Sequence, residues 1–168
     1  MKRGFPIGLV VLGALLTVGA FSWLYFGNAT GNSATIFLPE QIVNLPRTEY
    51  RTGTQALAEF ENLHGKQFPL TSGAIGIYGD QQVTIWAAGT SSDSIAAQMV
   101  DAMQDRIAEG NSPFTPVTEG NNNSRLVYIL EGMGQKHFYF QSKNLVVWVA
   151  VDPALADTVI QEVLEAYP

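Results

Sequence analysis

Three runs of seven residues, RLVYILE (125–131), KHFYFQS (136–142) and LVVWVAV (145–151), are separated only by Gly132-Met133-Gly134-Gln135 and Lys143-Asn144. Gaps this short suit a hairpin, whereas a parallel return needs a crossover of a dozen or more residues. The runs therefore read as successive antiparallel strands, a meander. LVVWVAV is apolar at both parities, which suits a central strand covered on both faces. Asp152-Pro153 then reads as an N-cap with proline in the first turn, opening a helix over 153–166. Its apolar side is Leu155, Ala156, Val159, Ile160, Val163, Leu164 and Tyr167, and its polar side is Asp157, Gln161, Glu162 and Glu165.

Upstream, SGAIGIYG (72–79) and QVTIWAAG (82–89) form a predicted hairpin about Gly79-Asp80-Gln81. A helix is expected over 54–64, stopped by Gly65, and another from a cap at Ser91, Ser92 or Asp93 to about Glu109, ended by Gly110. Residues 36–51 carry two prolines and little period, and read as an extended lead-in. SPFTPVTEGNNNS reads as a loop with one short strand at 116–119. The order α-β-β-α-(β)-β-β-β-α has no β-α-β alternation. It predicts an α+β fold: one antiparallel sheet of five or six strands packed by about three helices.

Over residues 72–168 this layout resembles the α/β/α sandwich of Mog1/PsbP-like domains. The resemblance rests on AIGIYGDQQVTIWAAG, on the capped helix SSDSIAAQMVDAM and on HFYFQSKNLVVWVAVDPALADTVIQEVL. It is one of pattern, and it implies a non-catalytic accessory or assembly role.

The chain begins with Lys2 and Arg3, followed by twenty uncharged residues, Ile7 to Phe26. As a helix such a run spans about 30 Å, the hydrocarbon thickness of a bilayer, and it exceeds the usual signal-peptide core. It reads as a retained signal anchor with residues 1–6 cytoplasmic, 7–26 transmembrane, 27–35 a Gly/Asn/Ser/Thr tether and 36–168 an exported, periplasmic domain. Gly13, Thr17 and Ala20 share a stripe on that helix and are candidates for docking against other membrane helices.

Of the nine Lys+Arg, Lys2 and Arg3 precede the span, while all fifteen Asp+Glu follow it, so the expected exported part carries a formal charge of −8. That argues against nucleic acid and anionic headgroups as partners and allows a basic protein partner. The absence of cysteine excludes disulfides, Cys-ligated clusters and C-x-x-C-H haem attachment. No metal or cofactor is expected.

Catalytic chemistry has little to work with. There are two histidines and no nucleophile elbow, P-loop, H-E-x-x-H or G-x-G-x-x-G. His64 falls in the apolar arc of its helix and reads as a packing residue. His137 shares a strand face with Tyr139, which reads either as a plain polar face or as part of a binding surface. Trp86 faces away from Val83, Ile85 and Ala87. Either the sheet is covered on both sides or an aromatic patch meets a partner. Trp86, His137 and Tyr139 are thus the candidate partner surface, and the expected catalytic set is empty. The reading is a non-catalytic accessory subunit of a bacterial membrane complex, such as the electron-transfer assembly alternative complex III. Its partners would be integral membrane subunits, other exported subunits and the lipid bilayer. The alternative is a free-standing anchored domain that binds or senses a small ligand.

Overall fold

The computed structural model describes residues 35–64, 69–110, 112–122 and 125–168. They contain eight strands, named here β1 (Gln41–Ile42), β2 (Leu45–Thr52), β3 (Leu70–Tyr78), β4 (Val83–Thr90), β5 (Thr115–Asn122), β6 (Arg125–Gly132), β7 (Gln135–Ser142) and β8 (Leu145–Val151). The helices among the described residues are α1 (Thr54–His64), α2 (Asp93–Ala108) and α3 (Ala156–Ala166), with a 3₁₀ turn at Pro153–Leu155. All strands join one antiparallel sheet in the order β1-β2-β3-β4-β8-β7-β6-β5. The chain builds inward from one edge to β4. Helix α2 then carries it to the far edge, and the meander β5–β8 returns to pair β8 with β4 at the centre.

The expected count of five or six strands is corrected to eight. Two strands lie in the segment read as an extended lead-in. β1 pairs Gln41 with Pro46 and Ile42 with Leu45. β2 pairs with β3 from Arg47↔Tyr78 to Thr52↔Ala74. Pro46 is tolerated because it sits near the sheet edge, where a missing N–H costs no central ladder bond. The supposed short strand at 116–119 is a full eight-residue edge strand, with a register shift between Pro116 and Thr118. Its sequence, TPVTEGNN, is poor in strand formers, so its pairing with β6 overrides local propensity.

A second correction concerns the membrane. Among the described residues no helix is long and apolar enough to cross one. The span read at Ile7–Phe26, with its docking stripe Gly13, Thr17 and Ala20, lies outside the described residues. The described residues give no support to the single-pass topology, the periplasmic placement or the electron-transfer setting.

Both sheet faces are covered by helices. On one, Val83, Ile85 and Ala87 of β4, Val147, Val149 and Val151 of β8 and Phe138 and Phe140 of β7 meet the buried side of α3. That helix buries Ala156, Val159, Ile160, Val163 and Leu164, the period expected of an amphipathic stripe. Its start differs from the reading: Asp152 makes no side-chain cap, and the 3₁₀ turn at Pro153 precedes the α-helix. On the opposite face α1 lies over β2 and β3, while α2 lies over β4, β7 and β8. Ser92 caps α2, its hydroxyl accepting the Ile95 N–H at 3.3 Å. Gly73 permits α1 to come close, because a Cβ there would stand 2.7 Å from the Phe60 ring.

Candidate functional site

Register places an aromatic row across the face that carries α1 and α2. Tyr128 on β6 pairs with Tyr139 on β7, Tyr139 with Trp148 on β8, and Trp148 with Trp86 on β4. Residues directly opposite one another on adjacent strands point to the same face, so four rings on four strands share it. Tyr128 and Tyr139 stack with centroids 4.6 Å apart, and Tyr139 and Trp148 with centroids 5.3 Å apart. Phe114, on the segment before β5, meets His137 edge-on at 4.6 Å and Trp148 at 5.1 Å. Gly132 makes room for it, since a Cβ there would lie 2.7 Å from the Phe114 ring.

His137 is locked into this cluster. The Trp148 indole N–H donates to its Nδ1 at 3.1 Å, and the Gly132 carbonyl stands 3.1 Å from its Nε2. Nδ1 must therefore be an acceptor and Nε2 must carry the proton, a tautomer fixed by the network. Burial pushes the His137 pKa below its ordinary value, opposed in part by the bond to the Gly132 carbonyl. Both ring nitrogens are engaged, which leaves neither a lone pair for a metal nor a free base. Among the described residues no group of three His, Cys, Asp or Glu is placed to hold a metal ion.

Trp86 behaves differently. It is half-buried and packs beside the α1 cluster of Ala56, Phe60, Ile75 and Ala88. Its indole nitrogen is buried and has no hydrogen-bond partner among the described residues. Arg51 Nε is also buried without a well-formed hydrogen bond, although it lies 3.0 Å from Glu59 Oε2 in an ion pair. Arg51 therefore keeps electrostatic compensation, while the Trp86 donor has none. Towards the Gly79–Gln82 turn, the next row on this face includes Ile77 and Thr84, both half-buried. Ile77, Thr84 and Trp86 thus share one sheet face, and each is half-buried. The sequences of α1 and α2 contain Glu59, Glu61, Asp93, Asp101 and Asp105 against Arg106 alone, and Arg106 pairs with Glu109 at 3.2 Å.

The three residues expected to form a partner surface share one face but not one role. Trp86 keeps an accessible edge. His137 is 4 % exposed and Tyr139 is 1 % exposed, so they support the face from beneath and do not form its surface. The side chain of His64 lies outside the described residues. Sequence reasoning missed Trp148 and Phe114. Trp148 shares the parity of Trp86, but bringing the two together needs the β4–β8 pairing, which is remote in sequence.

Comparison with known proteins returns no match: no family profile fits the chain, and no curated protein and no solved structure is significantly similar to it.

Proposed function

We infer that the described domain is a non-catalytic accessory module, and that it works by holding a basic protein partner against the strip Ile77–Thr84–Trp86. The observation that supports this reading is the half-buried ring of Trp86, on the sheet face that carries the acidic helices α1 and α2. A tryptophan face is the best side-chain platform for a guanidinium or ammonium group. The carboxylates of α1 and α2 favour the approach of such a cation.

The test compares purifications of tagged full-length wild type, Trp86→Phe and Thr84→Arg from the native cell. Expected is a stoichiometric partner of basic surface that is retained by wild type and lost from both variants, whose folds remain intact. A partner held equally by all three would place the interface elsewhere. Loss of a bound small molecule, with no protein partner in any sample, would favour the ligand-binding alternative.

A further inference from the structure

Residues 35–42 form a strap across the α3 side of the sheet. Ile36, Leu38 and Ile42 are buried in the core, while Phe37 between them is 73 % exposed. The backbone is gripped by side chains throughout. The Tyr50 hydroxyl donates to the Ile36 carbonyl at 3.2 Å, and the Tyr167 hydroxyl to Phe37 at 2.9 Å. Arg47 donates to the Leu38 carbonyl at 2.6 Å, and the Tyr78 hydroxyl to Pro39 at 3.0 Å. Four consecutive carbonyls thus each meet a donor from outside the strap. Gly76 leaves space for the strap leucine, because a Cβ there would lie 3.1 Å from Leu38 Cδ1. Alternate apolar pockets with polar groups aimed at the backbone are how a groove recognises a separate extended peptide.

The strap joins β2 through a two-residue turn whose members both lie in the left-handed region, Val43 at φ 50° and Asn44 at φ 63°. Asparagine tolerates this region, but a β-branched residue there is a steric outlier. A hydrogen bond from α3 holds the turn shut, the Val43 N–H donating to Glu162 Oε2 at 2.8 Å, and the Val43 side chain packs against the core. Strained short hinges favour exchange of the element they tether.

We propose that the strap exchanges between two copies of this chain. The Val43–Asn44 turn opens to extended backbone, and each copy lays its Ile36–Pro39 segment in the other's groove. Every strap contact is remade with identical partners, the two-fold arrangement closes on itself, and the left-handed valine is relieved. The occupant is a second copy because the groove's donors and pockets fit the Ile-Phe-Leu-Pro sequence that this chain itself supplies.

The absence of native cysteine makes the exchange readable. Gln41 and Pro46 are exposed ladder partners across the turn. A full-length Gln41→Cys/Pro46→Cys variant is refolded in oxidant at low and at high protein concentration, then run on non-reducing gels with light scattering. Expected at high concentration is a discrete, reducible dimer without free thiol, replaced at low concentration by the internally linked monomer. In the same background, Val43→Pro, whose φ cannot become positive, shifts the balance to dimer at both concentrations. Val43→Gly, which relieves the strain without opening the turn, shifts it to monomer. Internally linked monomer alone at every concentration overturns the proposal, as does a ladder of higher species in place of a discrete dimer. Should Val43→Pro fail to fold, the double-cysteine protein with its native hinge decides the matter.

Discussion

Trp86→Phe and Trp148→Phe remove the same group from facing positions of one sheet, yet they should act with opposite sign. In Trp86→Phe the variant loses a buried donor without an acceptor. Relief of that penalty contributes about 1–3 kcal/mol. The smaller ring forfeits contacts beside Phe60 and Ile75, on the order of 1 kcal/mol for a site that stays half-open. The net change lies between about zero and 2 kcal/mol of stabilisation. In Trp148→Phe the lost N–H is one that donates to His137 Nδ1. That change strands a buried acceptor and weakens the stack on Tyr139, so a loss of about 2–4 kcal/mol is expected. Urea unfolding followed by far-ultraviolet circular dichroism measures both, with an unchanged m-value as the check that only stability moved. Equal destabilisation by the two variants would mean instead that the Trp86 indole is as well partnered as that of Trp148.

Further expectations follow from the buried titrating groups and from one tight glycine. Burial pushes the Tyr78 hydroxyl up to about 12 while it donates to the Pro39 carbonyl. Its contribution is fully present below about pH 10 and is lost as pH rises towards 12, on the order of 2–3 kcal/mol. Tyr167 is shifted in the same direction, chiefly by burial, and deepens that alkaline loss. An alkaline stability curve that Tyr78→Phe leaves unchanged would contradict the assignment. His137, whose pKa is lowered by burial, acts at the other end: stability is complete above about pH 6.5 and falls as pH drops through the folded-state value. Titration of the His137 ring by NMR should show that depressed value, and an ordinary value would contradict it. Gly89→Ala would set a Cβ 2.1 Å from Ser72 Oγ. It should cost about 1–3 kcal/mol, recovered in part by adding Ser72→Gly, and additive losses in the double variant would show that the clash lies elsewhere.

What was legible in the sequence was local. The meander read at 125–131, 136–142 and 145–151 falls on Arg125–Gly132, Gln135–Ser142 and Leu145–Val151, because period-two alternation and tight turns are properties of neighbouring residues. The hairpin and the helices were visible for the same reason. β1, β2 and β5 were not. LPRTEYRT and TPVTEGNN are proline-bearing and polar, and they become strands through pairing with β3 and β6 and, for β2, through the tyrosine and arginine grip on the strap. The candidate site was half legible. Trp86 stood out by parity, but the burial of His137 and Tyr139 depends on Phe114 and on α2 returning over the sheet, which strand alternation does not encode. His137→Ala is expected to cost about 2–4 kcal/mol of stability, since it empties a buried site and strands the Trp148 N–H.

The indole ¹⁵N–¹H spectrum of the full chain reports docking at Trp86 directly. It contains three cross-peaks, from Trp23, Trp86 and Trp148, which single Trp→Phe variants assign. On titration with an oligo-arginine peptide a saturable shift of the Trp86 peak is expected, reduced by Thr84→Arg, with the Trp148 peak held in place by its bond to His137. No movement of the Trp86 peak, or the same movement with an oligo-glutamate peptide, would contradict it.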